Sequence, residues 1–171
     1  MYRTILSGHA PRFAIALLVG ALPLCATVHA ETQLNHNGGF CVASGSSGTL
    51  SRKWQGTITN AHTSEDLRVL CPLVRVAGQN TTGLVQIHTI DRNRFQGIDC
   101  GFYDQRAYGH DWTWSGWTTS VGSGTDNFRT FSFGPYNSQD KYEGFHQVHC
   151  VLPPSDAVYG ESVLGSYSSG G

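Results

Sequence analysis

The chain has 171 residues, 39% of them hydrophobic, 13% charged and 21 glycine, with a formal net charge of −1. So little charge excludes a duplex nucleic-acid binder, which needs a concentrated basic face. The same composition argues against a helical protein and for one rich in turns and strands.

Residues 1–30 read as a signal peptide. Arg3 and Arg12 precede the apolar run FAIALLVGALPLCA at 13–26, and Val28-His29-Ala30 supplies suitable residues at the −3 and −1 positions. About 14 apolar residues fall short of the roughly 20 that span a bilayer. A lipoprotein signal is disfavoured because Leu24 precedes Cys25 where a small residue belongs. No other segment is long and apolar enough to cross a membrane as a helix. The expected mature chain is a single domain over 31–171, secreted, periplasmic or at the cell surface. Cleavage removes two arginines and none of the 12 acids, so its formal charge becomes −3.

Along the mature chain, helical periodicity is almost absent, and short branched or aromatic runs alternate with turn residues. WQGTITN (54–60) and LRVLCPLVRV (67–76) come first, the latter with Leu67, Val69 and Cys71 on one face. Pro72 places a bulge or a sheet edge within it. LVQIHTID (84–91) sets Val85, Ile87 and Thr89 against Gln86, His88 and Ile90. GIDCGFY (97–103), FRTFSFG (128–134), FHQVHCVL (145–152) and SVLGSYS (162–168) complete the strand candidates. Residues 77–83 and 91–97 look like hairpin loops, 121–127 and 134–144 like longer ones. Both ends, ETQLNHNGG and SYSSGG, are expected to fray. Such spacing predicts an all-β fold, an antiparallel β-sandwich (jelly-roll or Ig-like) of about eight strands.

Loss of Cys25 with the signal leaves Cys41, Cys71, Cys100 and Cys150, an even number in an exported chain. Their spacings of 30, 29 and 50 residues lack the close pairs of a zinc site. Two disulfides are therefore expected. Three connectivities are possible, and Cys41–Cys71 with Cys100–Cys150 is preferred. Each would contribute up to about 3.5–4 kcal/mol in the chain-entropy view.

The order of motifs GGFCVASG, GTITN, VLCPLVR, TIDRN, GIDC, HCVLPP and GSY covers residues 38–168. In that order the chain resembles a group of small exported bacterial proteins with four cysteines. The resemblance implies an exported, disulfide-bonded β-domain and brings no catalytic residue with it.

The segment YGHDWTWSGWTTS (108–120) carries three of the four tryptophans, flanked by His110 and Asp111. Extended, it would place Trp112 and Trp114 on one face and Trp117 on the other. Exposed indoles beside a carboxylate suit a sugar ring, which makes Trp112, Trp114, Trp117, His110 and Asp111 candidate ligand-binding residues. The competing expectation is that one face enters the core and Trp117 clamps a loop. His36, His62, His88, His110, His146 and His149 form no H-E-x-x-H or H-x-H motif, and on a strand His146 and His149 face opposite ways. No metal or other cofactor is expected. Asp91-x-Asn93 with Asp99 lacks the glycine position and closing Glu of a calcium loop, and reads better as turn formers. No G-x-S-x-G is present. Asp104, Asp111, Asp126 and Glu143 could supply paired carboxylates for glycoside hydrolysis.

The favoured reading is an exported non-catalytic β-domain acting by binding or assembly at the cell surface or outside it. The alternatives are a carbohydrate-binding module built on the 112–117 aromatic segment and a small secreted hydrolase. The partners expected are a glycan or an extracellular or cell-surface protein, with self-assembly as a further option.

Overall fold

The computed structural model describes residues 34–45, 47–74, 81–106, 112–121, 127–134, 136–137 and 144–170. The segment read as a signal peptide lies outside these residues. Fourteen strand segments occur among the described residues. The first seven are β1 (Leu34–Asn37), β2 (Val42–Ala43), β3 (Leu50–Arg52), β4 (Ile58–Asn60), β5 (Leu67–Leu73), β6 (Thr81–Thr82) and β7 (Val85–Asp91). The rest are β8 (Asp99–Arg106), β9 (Trp112–Trp114), β10 (Thr118–Thr119), β11 (Asn127–Phe133), β12 (Tyr136–Asn137), β13 (Gly144–Leu152) and β14 (Val163–Ser169).

Seven of these, β4, β5, β7, β8, β11, β13 and β14, coincide with the strands read from the sequence. The fold is all-β, an antiparallel sandwich. One sheet runs β11-β7-β14-β4-β3, with β1 also on β14, and the other runs β10-β8-β13-β5-β2, with β9 also on β8. A small β12-β6 pair stands apart. Two-residue alternation puts Leu67, Val69, Cys71 and Leu73 of β5 in the core, with Val85 and Ile87 of β7. Phe102, Val148, Leu164 and Tyr167 fill the space between the sheets. Each large apolar side chain so buried contributes about 1.5–3 kcal/mol.

Four expectations need correction. Residues 91–97 do not form a hairpin loop, because β7 and β8 lie in different sheets and the segment crosses between them. The same holds for 77–83, where β5 and β7 belong to opposite sheets and 77–80 lie outside the described residues. Nor do the described ends fray: Leu34–Asn37 pairs with Ser166–Ser169 of β14, and Ser168 and Ser169 are buried. Finally, the first residues of WQGTITN belong to a turn, closed by Lys53 N–H to the Thr57 carbonyl (2.9 Å) and relieved by Gly56 at φ 75°. Pro72 sits at a sheet edge as expected, since β2 pairs only with Val69 and Leu70.

Both disulfides take the preferred pairing. Cys100 lies directly opposite Cys150 in the β8–β13 register, with Cα atoms 4.2 Å apart. Cys41 bonds Cys71 at a Cα separation of 4.1 Å, just before β2 joins β5.

Buried polar groups tie one sheet to the other. Asn60 at the end of β4 donates from Nδ2 to the Leu152 and Pro153 carbonyls of the other sheet, both at 3.2 Å. Its Oδ1 accepts the amides of Thr49 and His62. Tyr167 reaches across the core and donates its hydroxyl to the Pro72 carbonyl at 2.9 Å. Burial pushes that phenol up to about 12, so it stays a neutral donor. Asp91, wholly buried at the end of β7, accepts from Ser120 Oγ, from Ser162 Oγ (3.2 Å) and from the Asn93 amide (3.2 Å). Ser120 Oγ in turn accepts the Ile98 amide at 2.7 Å.

Removing the Asp91 carboxylate strands these donors in a dry interior, where each unsatisfied group costs about 1–3 kcal/mol. Asp91→Ala is therefore expected to destabilise the fold by about 3 kcal/mol or more. Urea denaturation followed by circular dichroism measures this, and an unchanged midpoint would show the network to be dispensable.

Candidate functional site

The outer face of the β8–β13–β5–β2 sheet carries the richest side-chain grouping among the described residues. Because β8 alternates, Cys100 and Phe102 enter the core while Gly101 and Tyr103 face outward. On β13 the same period turns His146 inward and His149 outward, as the sequence implied. His146 is buried and its Nε2 lies 3.0 Å from Asp104 Oδ1. His149 stands outside among rings, with centroids 5.6 Å from Tyr103 and 5.6 Å from Trp114.

Trp114 of β9 folds flat against this face, over Gly101. A Cβ at Gly101 would lie 2.2 Å from the indole Cη2, so only glycine admits the ring. Trp114 is thus half-buried on the outside of the sheet and takes no part in the core. Trp117 does not point the opposite way, as an extended segment would require. Ser115-Gly116 turns the chain, with Gly116 at φ 81°, and Ser115 locks the turn by donating its amide to the Phe102 carbonyl (3.0 Å). Ser115 Oγ accepts the Phe102 amide at 2.8 Å. Trp117 returns to the same side and meets Trp114 edge-on, centroids 4.9 Å apart at 77°. Its ring remains 52% exposed.

Trp117 stands beside a pocket of about 260 Å³ on this face. Leu70 and Val151 supply apolar walls, and Ser44, Arg68 and His149 supply polar ones. His149 Nε2 is buried and makes no hydrogen bond. Burial also holds the imidazole below its ordinary value, favouring the neutral ring, which offers one donor and one acceptor. Among the described residues no carboxylate lines the pocket. The arrangement can therefore seat a ring that is apolar on its face and polar at its edge.

The remaining candidates are dispersed. His110, Asp111, Asp126 and Glu143 lie outside the described residues, and of Trp112 only the backbone, paired with Gln105, is described. Asp104 is engaged by His146, so the carboxylate pairs proposed for hydrolysis have no counterpart among the described residues. His36 stacks on Tyr167 (5.2 Å), His62 Nδ1 accepts the Ser64 and Glu65 amides, and His88 meets Thr130 Oγ1 at 3.0 Å. No three metal-ligating side chains converge among the described residues. Sequence reasoning passed over Ser44, Arg68 and Leu70, which only the register of β2 and β5 brings to the pocket. It also passed over Trp54, which is 92% exposed at its turn.

No protein-family profile matches the chain, and no curated protein does. Among solved structures it is similar to the xylan-binding module CBM86 of Roseburia intestinalis, at 10% identity, 81% of this chain, 94% of that one and a TM-score of 0.46. The xylan-binding module CBM15 aligns at 12% identity, 82% and 96% coverage and a TM-score of 0.47. A family two carbohydrate esterase from Cellvibrio japonicus aligns at 10% identity and a TM-score of 0.43, over 82% of this chain. The chain spans only 34% of that esterase.

Two outcomes follow from the packing. Gly101→Ala should expel Trp114 from its seat, costing about 1–3 kcal/mol as overpacking does and red-shifting tryptophan emission; unchanged emission would contradict the assigned contact. The depressed His149 value means that the unfolded chain takes up a proton near 6.5, above the pH at which the folded one does. Stability contributed by the neutral ring is present above that point and falls as pH drops below it. His149→Gln should flatten this acid limb, read as melting temperature against pH from 7 to 5.

Proposed function

We propose that this protein is an exported, non-catalytic carbohydrate-binding domain that seats a neutral pyranose on Trp117. The observation carrying this reading is the half-exposed indole beside a pocket that holds an unpartnered imidazole nitrogen. The C–H bonds on one face of a pyranose carry slight positive charge and suit the negative face of an indole. Its hydroxyls meet Ser44, Arg68 and the buried His149 Nε2, whose missing hydrogen bond a sugar hydroxyl would supply. Trp114 supports the platform from below and limits the motion of Trp117, which lowers the ordering cost of binding. A shallow, mixed pocket with a few directed polar groups is the form such sites take.

Affinity electrophoresis against soluble xylan, mixed-linkage glucan and galactan tests this. At least one neutral polysaccharide should retard the protein. Trp117→Ala should weaken retention tenfold or more, about 1.4 kcal/mol, while leaving the melting temperature nearly unchanged because the ring is half in solvent. Retention by none of the three, or equal retention of the variant, would refute the proposal.

A further inference from the structure

Three connections converge at one end of the sandwich: residues 61–66 between β4 and β5, 92–98 between β7 and β8, and 153–162 between β13 and β14. Between them lies a cleft of about 420 Å³, separate from the Trp117 pocket. Its walls are stitched together by their own hydrogen bonds. Ser155 donates its amide to the His62 carbonyl at 2.7 Å, and Asn93 Nδ2 donates to the Pro154 carbonyl at 2.9 Å. Asn93 Oδ1 accepts the Phe95 and Gln96 amides, both at 2.8 Å. Asp156 Oδ1 accepts the amides of Val158 (2.8 Å) and Tyr159 (3.2 Å). The cleft is thus formed before anything enters it.

Arg94 dominates its chemistry. The guanidinium Nε sits 3.4 Å from Asp156 Oδ2, whose side chain is nearly inaccessible. Its central carbon lies 4.7 Å from the Phe95 centroid and 5.8 Å from that of Tyr159. One carboxylate and two rings therefore hold the guanidinium, with Nε toward the carboxylate. Phe95 is 79% and Tyr159 43% exposed. The lining adds hydroxyls from Thr63, Ser64 and Ser155 and the amide of Gln96.

We infer that this cleft is a second binding site, for a uronic acid residue of an acidic saccharide, with the sugar carboxylate on the terminal nitrogens of Arg94. A planar guanidinium presents two parallel N–H donors that match a carboxylate. Among the described residues one cation, Arg94, and one carboxylate, Asp156, line the cleft, so a monoanion on the guanidinium edge away from Asp156 suits it, whereas a phosphoryl or sulfuryl group calls for more positive charge. The ring hydroxyls pair with Thr63, Ser64, Gln96 and Ser155, and the apolar ring face lies against Phe95. The site is independent of Trp117, so the two readings stand or fall separately.

Isothermal titration with tetragalacturonate and its methyl ester tests the assignment on the full exported chain. The acid should bind, the ester at least tenfold more weakly, and Arg94→Gln should lose at least tenfold. Because Arg94→Gln also removes the partner of Asp156, Phe95→Ala serves as a second variant that keeps the ion pair. It should weaken binding severalfold at an unchanged melting temperature. Equal affinity for acid and ester, full affinity in Arg94→Gln or in Phe95→Ala, or tighter binding of a phosphoserine peptide than of tetragalacturonate would each overturn it.

Discussion

The constraint on which most of this structure depends is the buried Asp91 carboxylate. A charge-bearing group withdrawn from water must be met by donors, and here they come from three separate parts of the chain. Ser162 leads into β14 of the same sheet, while Ser120 follows β10 of the opposite one. Ile98 joins through Ser120, which anchors the start of β8. One carboxylate thus fixes the sheet separation and the path of the crossing segment 92–98. That segment carries Asn93, Arg94 and Phe95, so the geometry of the end cleft rests on a group that never touches its contents.

Asn60 performs the complementary task beside the same end. It uses both amide hydrogens and its oxygen to bind the start of one loop to the exit of β13. Polar ties of this kind are stabilising only when fully satisfied, and both of these are surrounded by partners. The outer pocket is built differently. It depends on ring packing over a bare backbone, with Gly101 as the vacant seat and Gly116 as the pivot. The end cleft is held by hydrogen bonds and the face pocket by shape.

The long strands were legible because their two-residue period is regular: Leu67, Val69 and Cys71 share a face, and His146 and His149 do not. The sheet assignment was not legible, since turn-forming residues such as Asp91, Asn93 and Gly97 look alike whether a loop returns or crosses. β1 escaped notice because Leu34-Asn35-His36-Asn37 is polar and is held chiefly through its backbone to β14. Trp117 was misplaced for a local reason. An extended template fails at Gly116, whose positive φ reverses the chain, and nothing in the spacing of indoles reveals that. Asp91 closes β7 and accepts the Asn93 amide, a local role the Asp91-x-Asn93 spacing suggests, yet its burial depends on Ser120 and Ser162, 29 and 71 residues away.

The alternation of long strands between sheets also governs how the chain reaches its native state. β5, β7 and β8 follow one another in sequence, yet none is hydrogen-bonded to the next. Few early contacts can therefore form locally, and large loops must close before pairing gains anything. Folding of such a topology is slow, and the strands stay open to wrong partners meanwhile. Cys100 and Cys150 can meet only after β8 and β13 have found each other across 50 residues. Closure of the Cys100–Cys150 bond is accordingly a late event that seals a correct register rather than one that guides the search for it.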